Sequence, residues 1–169
     1  WAASALAAYG TAPGALDLPA PVTPMADWTA VTGVAVTPLA PVDHQFFGTH
    51  VAMEGDTLLV GVPRLNRGPR LTGGAIVFRW SDDTDTWVEE GTLVDPHDSP
   101  LDGAGGAVTL AGEDLALVSA PHGQLHGHDS HIWGRVLVYE RETDTDWHYK
   151  GDLPNPVNGT WTKFGCSVD

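Results

Sequence analysis

The feature that most constrains the fold of this sequence is an internal repeat. The stretch 47–93 is followed by a looser copy over 104–153, and a third copy begins at Phe164. Trp87 and Trp147 occupy equivalent places in the first two copies and lie 60 residues apart. A period of this length is typical of stacked modules, each of which buries its apolar side only by packing against the next module.

Each copy contains four short runs that are rich in Val, Leu, Ile and aromatic residues, a composition that favours strands. Gly-Asp and Asp-Thr sequences between the runs are typical of tight turns. No window shows the 3.6-residue period of a helix of normal length. We therefore predict an all-β fold with four antiparallel strands in each copy. The predicted strands are Val51–Met53, Leu58–Val62, Ala75–Trp80 and Trp87–Leu93, then Val108–Leu110, Leu115–Ala120, Arg135–Glu140 and Trp147–Leu153.

The repeated positions resemble the FG-GAP repeat of integrin-α-like β-propellers. The resemblance is carried by Phe47, Gly48, Gly55, Asp56, Pro63 and Trp87, by Gly105, Gly112, Pro121 and Trp147, and by Phe164 and Gly165. The second copy departs from the pattern, with Ala104 in place of Phe and Ser119 in place of Gly. The resemblance implies propeller blades, about three in number. They would be incomplete or part of a larger propeller, because closed propellers have roughly four to eight blades.

The repeat divides the chain into segments. Residues 1–27 are rich in Ala, Pro and Gly and are interpreted as an extended segment or strap. Residues 28–46 are interpreted as the end of a preceding blade, with a strand from Trp28 to Val36. The division then gives one blade over 47–103, a second over 104–163, and the start of a further blade over 164–169. This division implies a fragment of a longer protein, or an open array completed by neighbouring copies.

The resemblance implies a non-catalytic protein of the extracellular space or cell surface that serves adhesion, assembly or ligand binding. Its partners would be proteins, either further copies of itself or other surface proteins. A formal net charge of -14 disfavours nucleic acid and anionic membrane surfaces. No apolar run is long enough for direct membrane insertion, and the sequence lacks the common hydrolase and nucleotide-binding motifs. One alternative is an accessory propeller domain of a larger secreted enzyme, and another is a metal-binding module.

The metal alternative depends on one histidine-rich loop, which contains His122, His126, His128, Asp129 and His131. Neutral imidazole and carboxylate groups suit zinc, copper or nickel. The spacing matches no rigid motif, and an exposed polar loop explains the composition equally well. A divalent metal ion is therefore a hypothesis, and no other cofactor is indicated.

Three further features come from single loops. One loop carries Arg64, Arg67 and Arg70, which could seat an anionic partner or could simply be solvated. Asn158 begins an N-x-T sequon, a candidate glycosylation site in a eukaryotic secretory pathway. Cys166 is the single cysteine, and we expect it to be a buried free thiol.

Overall fold

Two four-stranded β-sheets form the framework of the chain that the structure describes. The structure, a computed structural model, describes residues 34–67, 70–97, 102–122, 134–156 and 163–169. All regular elements in these ranges are strands, as predicted. The described part of the chain has no helix of the length and apolarity needed to span a membrane.

Sheet 1 is an antiparallel meander in the order β1-β2-β5-β6. Its strands are β1 (Val51–Glu54), β2 (Thr57–Val62), β5 (Gly74–Ser81) and β6 (Thr86–Val94). The connection between β2 and β5, predicted as a loop, contains a two-stranded ladder of β3 (Asn66–Arg67) and β4 (Arg70–Leu71). Sheet 1 therefore follows the order of the sequence, with one short hairpin inserted in it.

Sheet 2 repeats this arrangement in the order β7-β8-β9-β10. Its strands are β7 (Val108–Leu110), β8 (Leu115–Ala120), β9 (Arg135–Thr143) and β10 (Asp146–Pro154). Each of the eight predicted strands lies within an observed strand. The prediction of four antiparallel strands is confirmed for the first two copies. It succeeds because the apolar runs specify the strands and the turn residues between them specify which strands pair.

A β-bulge recurs at the same place in the last strand of both sheets. In sheet 1, Phe78 pairs with Glu89 and the next pair joins Val77 to Gly91, so Glu90 is the extra residue. In sheet 2, Lys150 is the extra residue between Tyr149 and Gly151. A bulge bends its strand and changes the direction of a side chain, and in sheet 1 that side chain is Glu90.

The backbone that begins each copy is also repeated. Left-handed φ angles of 83°, 91° and 81° occur at Gly48, Gly105 and Gly165, and the residue two positions earlier also has a positive φ in each copy. Isolated parallel bridges join Gly73 to Ala104 and Gly134 to Phe164. The repeat in the sequence is thus a repeat of backbone geometry.

The main apolar core lies between the two sheets. Side chains at alternate strand positions project to the same face, and here they form one buried cluster: Leu59, Ala75, Val77 and Leu93 from sheet 1 with Val108, Ala116, Val118, Ala120, Leu137 and Tyr139 from sheet 2. The opposite face of sheet 1 carries a second cluster, which includes Val60, Val62, Ile76 and Phe78. Each sheet therefore covers one face of the other.

The strand predicted from Trp28 to Val36 lies mostly outside the described residues, and its last three residues, 34–36, form no strand. Val36 packs against the second cluster of sheet 1 instead. Cys166 is exposed rather than buried, because its N–H closes a turn onto the Lys163 carbonyl at 3.1 Å and residues 163–169 form no covering strand. Residues 1–27 lie outside the described ranges.

We expect Gly105→Ala to destabilise the protein more than Gly112→Ala. Both glycines have a left-handed φ, 91° and 74°, so both substitutions add strain of about 1–2 kcal/mol. A Cβ at Gly105 would also collide with the backbone of Gly74 and Val62, whereas a Cβ at Gly112 meets nothing within 4 Å. Urea unfolding should show an additional loss of about 2 kcal/mol for Gly105→Ala. Equal losses would contradict the close approach of the second copy to sheet 1.

Candidate functional site at the interface between the sheets

Strand β9 presents four alternate side chains to sheet 1. Leu137 and Tyr139, in the middle, belong to the apolar core. Arg135 and Arg141, at the two ends, are also buried, with 3% and 8% of their surface exposed. A buried guanidinium requires carboxylates or other acceptors around it. Two polar clusters therefore flank the core.

The first cluster is centred on Glu90 in the bulge of β6, whose side chain is 3% exposed. Its Oε1 accepts a hydrogen bond from Trp147 Nε1 at 2.6 Å and lies 3.3 Å from Arg141 Nε. Its Oε2 accepts from Arg79 Nε at 3.1 Å. Arg141 also donates to Thr57 Oγ1 at 2.9 Å, and its guanidinium lies 4.8 Å from the centroid of the Trp147 ring. Glu90 thus joins both sheets through charge-assisted bonds.

The second cluster is centred on Arg135. Its Nη2 donates to Asp95 Oδ2 and to Asp102 Oδ2, both at 2.6 Å. Both carboxylates are buried. Asp95 directly follows β6, and Asp102 precedes β7 by a few residues. One arginine of sheet 2 therefore binds both ends of the connection that leads from sheet 1 to sheet 2.

A half-exposed set of side chains extends the second cluster outward. His97 Nε2 lies 3.0 Å from Asp152 Oδ2 and 3.2 Å from the Tyr149 hydroxyl. Tyr149 donates to Asp152 Oδ1 at 2.8 Å, and the His97 backbone N–H donates to Asp95 Oδ1 at 2.9 Å. Nearby, Tyr139 donates to the Val94 carbonyl at 2.6 Å. These bonds join the exit of β6 to strands β9 and β10.

The residues predicted for metal binding are not assembled by the part of the chain that the structure describes. His122 is exposed, and its backbone N–H bonds to the Asp102 carbonyl at 3.1 Å. His126, His128, Asp129 and His131 lie outside the described residues. Within the described ranges, no group of three or more His, Cys, Asp or Glu residues is placed to hold a metal ion. The metal hypothesis stays a prediction.

The other loop predictions have different outcomes. Arg64 is exposed, and its guanidinium lies 4.7 Å from the centroid of the Phe46 ring. Arg67 and Arg70 face each other as a backbone pair of the β3-β4 ladder, and their side chains are outside the description. Asn158 also lies outside the described residues. Anion binding and glycosylation therefore stay predictions.

Sequence reasoning missed the two arginine clusters. The repeat aligns Arg141 with Trp80 and Arg135 with Gly74, so the second copy has buried charge where the first has an indole and a glycine. Trp87 packs edge-to-face on Trp80, with centroids 5.4 Å apart, and Trp147 packs on Arg141 at the equivalent place. The usable signal was an arginine at each end of an apolar, alternating strand.

The chain matches no known protein family, and it matches no curated protein.

We expect Glu90→Ala to cost about 3–5 kcal/mol of unfolding free energy, because it leaves the buried guanidinium of Arg141 without its buried carboxylate. The exposed Asp114, 3.7 Å from Arg141 Nε, is then the remaining acidic partner among the described residues. Lys150→Ala is the matched control, since Lys150 occupies the same bulge in sheet 2 but forms exposed pairs with Glu140 and Glu142. That control should change stability little. Chemical denaturation of both variants measures the difference. A Glu90→Ala variant as stable as Lys150→Ala would contradict the role assigned to the cluster.

Stability should fall as the pH rises from about 10 to about 12. Burial, and then the hydrogen bond to Asp152, raise the pKa of Tyr149 from 10.0 to about 12. Burial, and then the charge of Asp95, raise the pKa of Tyr139 as well. Because the folded state holds these phenols neutral, the unfolded chain ionises first and is favoured above its own pKa. The urea concentration at the midpoint of unfolding, measured between pH 9 and 12, should fall less steeply with pH in Tyr149→Phe than in the unaltered protein. An unchanged slope in that variant would count against this assignment.

Proposed function

We propose that the two sheets are successive blades of a β-propeller and that the protein is a non-catalytic binding and assembly module of the extracellular space or cell surface. The observation that carries the proposal is the backbone that opens each copy. This backbone occurs at the start of all three copies. Parallel bridges join Gly73 to Ala104 at the start of the second copy and Gly134 to Phe164 at the start of the third. Propellers place such four-stranded sheets face to face around an axis, and here the two sheets share one core.

The outer face of sheet 2 supports continued stacking. The repeat aligns Leu117, Val138 and Leu153 with Leu59, Val77 and Leu93, which form the sheet 1 side of the core. Leu153 is 46% exposed, whereas Leu93 is 1% exposed. A further sheet that begins at Phe164 would cover this face as sheet 2 covers sheet 1. Assembly by stacking follows from this arrangement.

The charged residues of the interface support a structural rather than a catalytic role. Glu90 of sheet 1 forms an ion pair with Arg141 of sheet 2. Asp95, at the exit of sheet 1, forms one with Arg135 of sheet 2. Carboxylates and guanidinium groups used in this way fix the relative position of two sheets. A rigid scaffold of this kind suits a protein that presents surfaces to partners.

Two measurements on the natural gene product test the two halves of this proposal. An antibody to residues 47–163 should label intact cells of the source organism without permeabilisation; labelling that requires permeabilisation would exclude a surface location. An experimental structure should place β1 and β7 nearest a common axis, with further sheets on the outer faces of both sheets. An isolated two-sheet sandwich with solvated outer faces would contradict the propeller.

A further inference from the structure

A cleft of about 430 Å³ opens between the two sheets beside the buried clusters. One wall of the cleft comes from strand β6 of sheet 1 and the residues that follow it, and the other wall contains three aromatic residues of sheet 2. The residues that line the cleft include Thr72, Thr92, Asp95, Tyr139, Trp147 and Tyr149. A cleft of this size is large enough for one or two sugar rings and falls in the range of small-molecule sites.

The aromatic residues offer ring surface to the cleft, because their polar ends are already bonded within the protein. Trp147 Nε1 donates to Glu90, Tyr139 to the Val94 carbonyl and Tyr149 to Asp152. Trp147 and Tyr149 are half-buried. The Arg141 guanidinium lies 4.8 Å from the centroid of the Trp147 ring, so the accessible part of that ring is the part that Arg141 does not cover. Rings held in this way bind the apolar C–H face of a flat or saturated ring.

The carboxylate that lines the cleft is already bonded within the protein. Asp95 is the charged residue among the lining residues, and its two oxygens accept from Arg135 Nη2 at 2.6 Å and from the His97 N–H at 2.9 Å. Glu90, behind Trp147, is paired with Arg79. An anionic ligand would meet no cationic side chain among the described residues that line the cleft, in a protein of net charge -14. A cationic ligand would have to compete with the arginines for these carboxylates. The chemistry therefore favours a neutral ligand.

Polar groups for such a ligand lie along the β6 side of the cleft. Thr92 lines this side and is exposed, whereas Thr72 is buried and its hydroxyl already donates to the Gly73 carbonyl. Strand β6 is the last strand of sheet 1, so one edge of its backbone pairs with no other strand of the described chain. Peptide groups on one wall and aromatic rings on the other match a ring with apolar faces and hydroxylated edges.

We propose that this cleft binds a neutral saccharide, with the sugar ring against Trp147 and Tyr149 and its hydroxyls toward β6. The proposal deepens the binding role proposed above and rests on it. Adhesion to a glycan would follow from several such clefts between successive sheets, because linked weak sites gain avidity.

The test is a titration of the purified chain with neutral disaccharides, namely lactose, maltose, cellobiose and N,N′-diacetylchitobiose. The ¹H–¹⁵N spectrum reports binding through the Trp147 indole N–H, which is assigned by its loss in Trp147→Phe. At least one disaccharide should give a saturable shift, with a Kd on the order of 1 mM for a ligand of this size.

Gly91→Leu provides a variant that covers part of the Trp147 ring from the facing strand β6. A Cβ at Gly91 would lie 3.9 Å from Trp147 Cδ1, an ordinary contact, so the longer side chain should cover the ring without breaking the sheet. Val88→Leu is the matched control on the same strand, because Val88 is 50% exposed and does not line the cleft. Gly91→Leu should weaken saccharide binding at least about tenfold, and Val88→Leu should leave it unchanged.

Three results would overturn the saccharide proposal: no shift with any of the four disaccharides, equal binding by Gly91→Leu, or shifts produced only by an extended peptide that pairs with the edge of β6. Each result leaves the propeller assignment intact, because that assignment depends on sheet packing and is tested by the structure of the natural product. Surface labelling of cells likewise tests location independently of this cleft.

Discussion

The contact between the two sheets is the interaction on which the rest of the structure depends. A four-stranded antiparallel sheet with one apolar face is not stable while that face meets water. Here the face of sheet 1 that carries Leu59 and Val77 is covered by sheet 2, and strand β9 supplies the centre of the cover. Each large aliphatic side chain buried in this way contributes about 1.5–3 kcal/mol, so the paired sheets are stabilised where neither would be stable alone.

The buried charges give this contact one geometry. Apolar faces can slide over each other at little cost, but a displaced Arg135 or Arg141 would lose its carboxylates in a dry environment. The two arginines lie six residues apart on β9 and hold both ends of the interface. The bulge at Glu90 and the two aspartates of the connection supply the matching acceptors. The same fixed geometry leaves the cleft beside Trp147 open and lines it with rings whose polar ends are already bonded.

The strands could be predicted from the sequence because they are specified locally, by alternating apolar residues and by turn residues such as Gly55–Asp56. The paired sheets also follow from the period, since a repeat of this kind must stack. The arginine clusters could not be predicted, because Arg135 and Arg141 replace unrelated residues of the first copy. Their partners, Glu90 and Asp95, lie 40 or more residues away in sequence. The exposed position of Cys166 likewise depends on a turn that the general tendency of cysteine to be buried does not capture.

Native-state hydrogen exchange tests most directly whether the two sheets stabilise each other. Amides of β2 and β5 in sheet 1, and of β8 and β9 in sheet 2, should exchange with the same free energy of opening, and these values should converge with the global unfolding free energy as urea increases. This result is predicted because opening either sheet exposes the core of both. If the amides of one sheet remained protected after those of the other had exchanged, each sheet would be stable by itself, and the account would be contradicted.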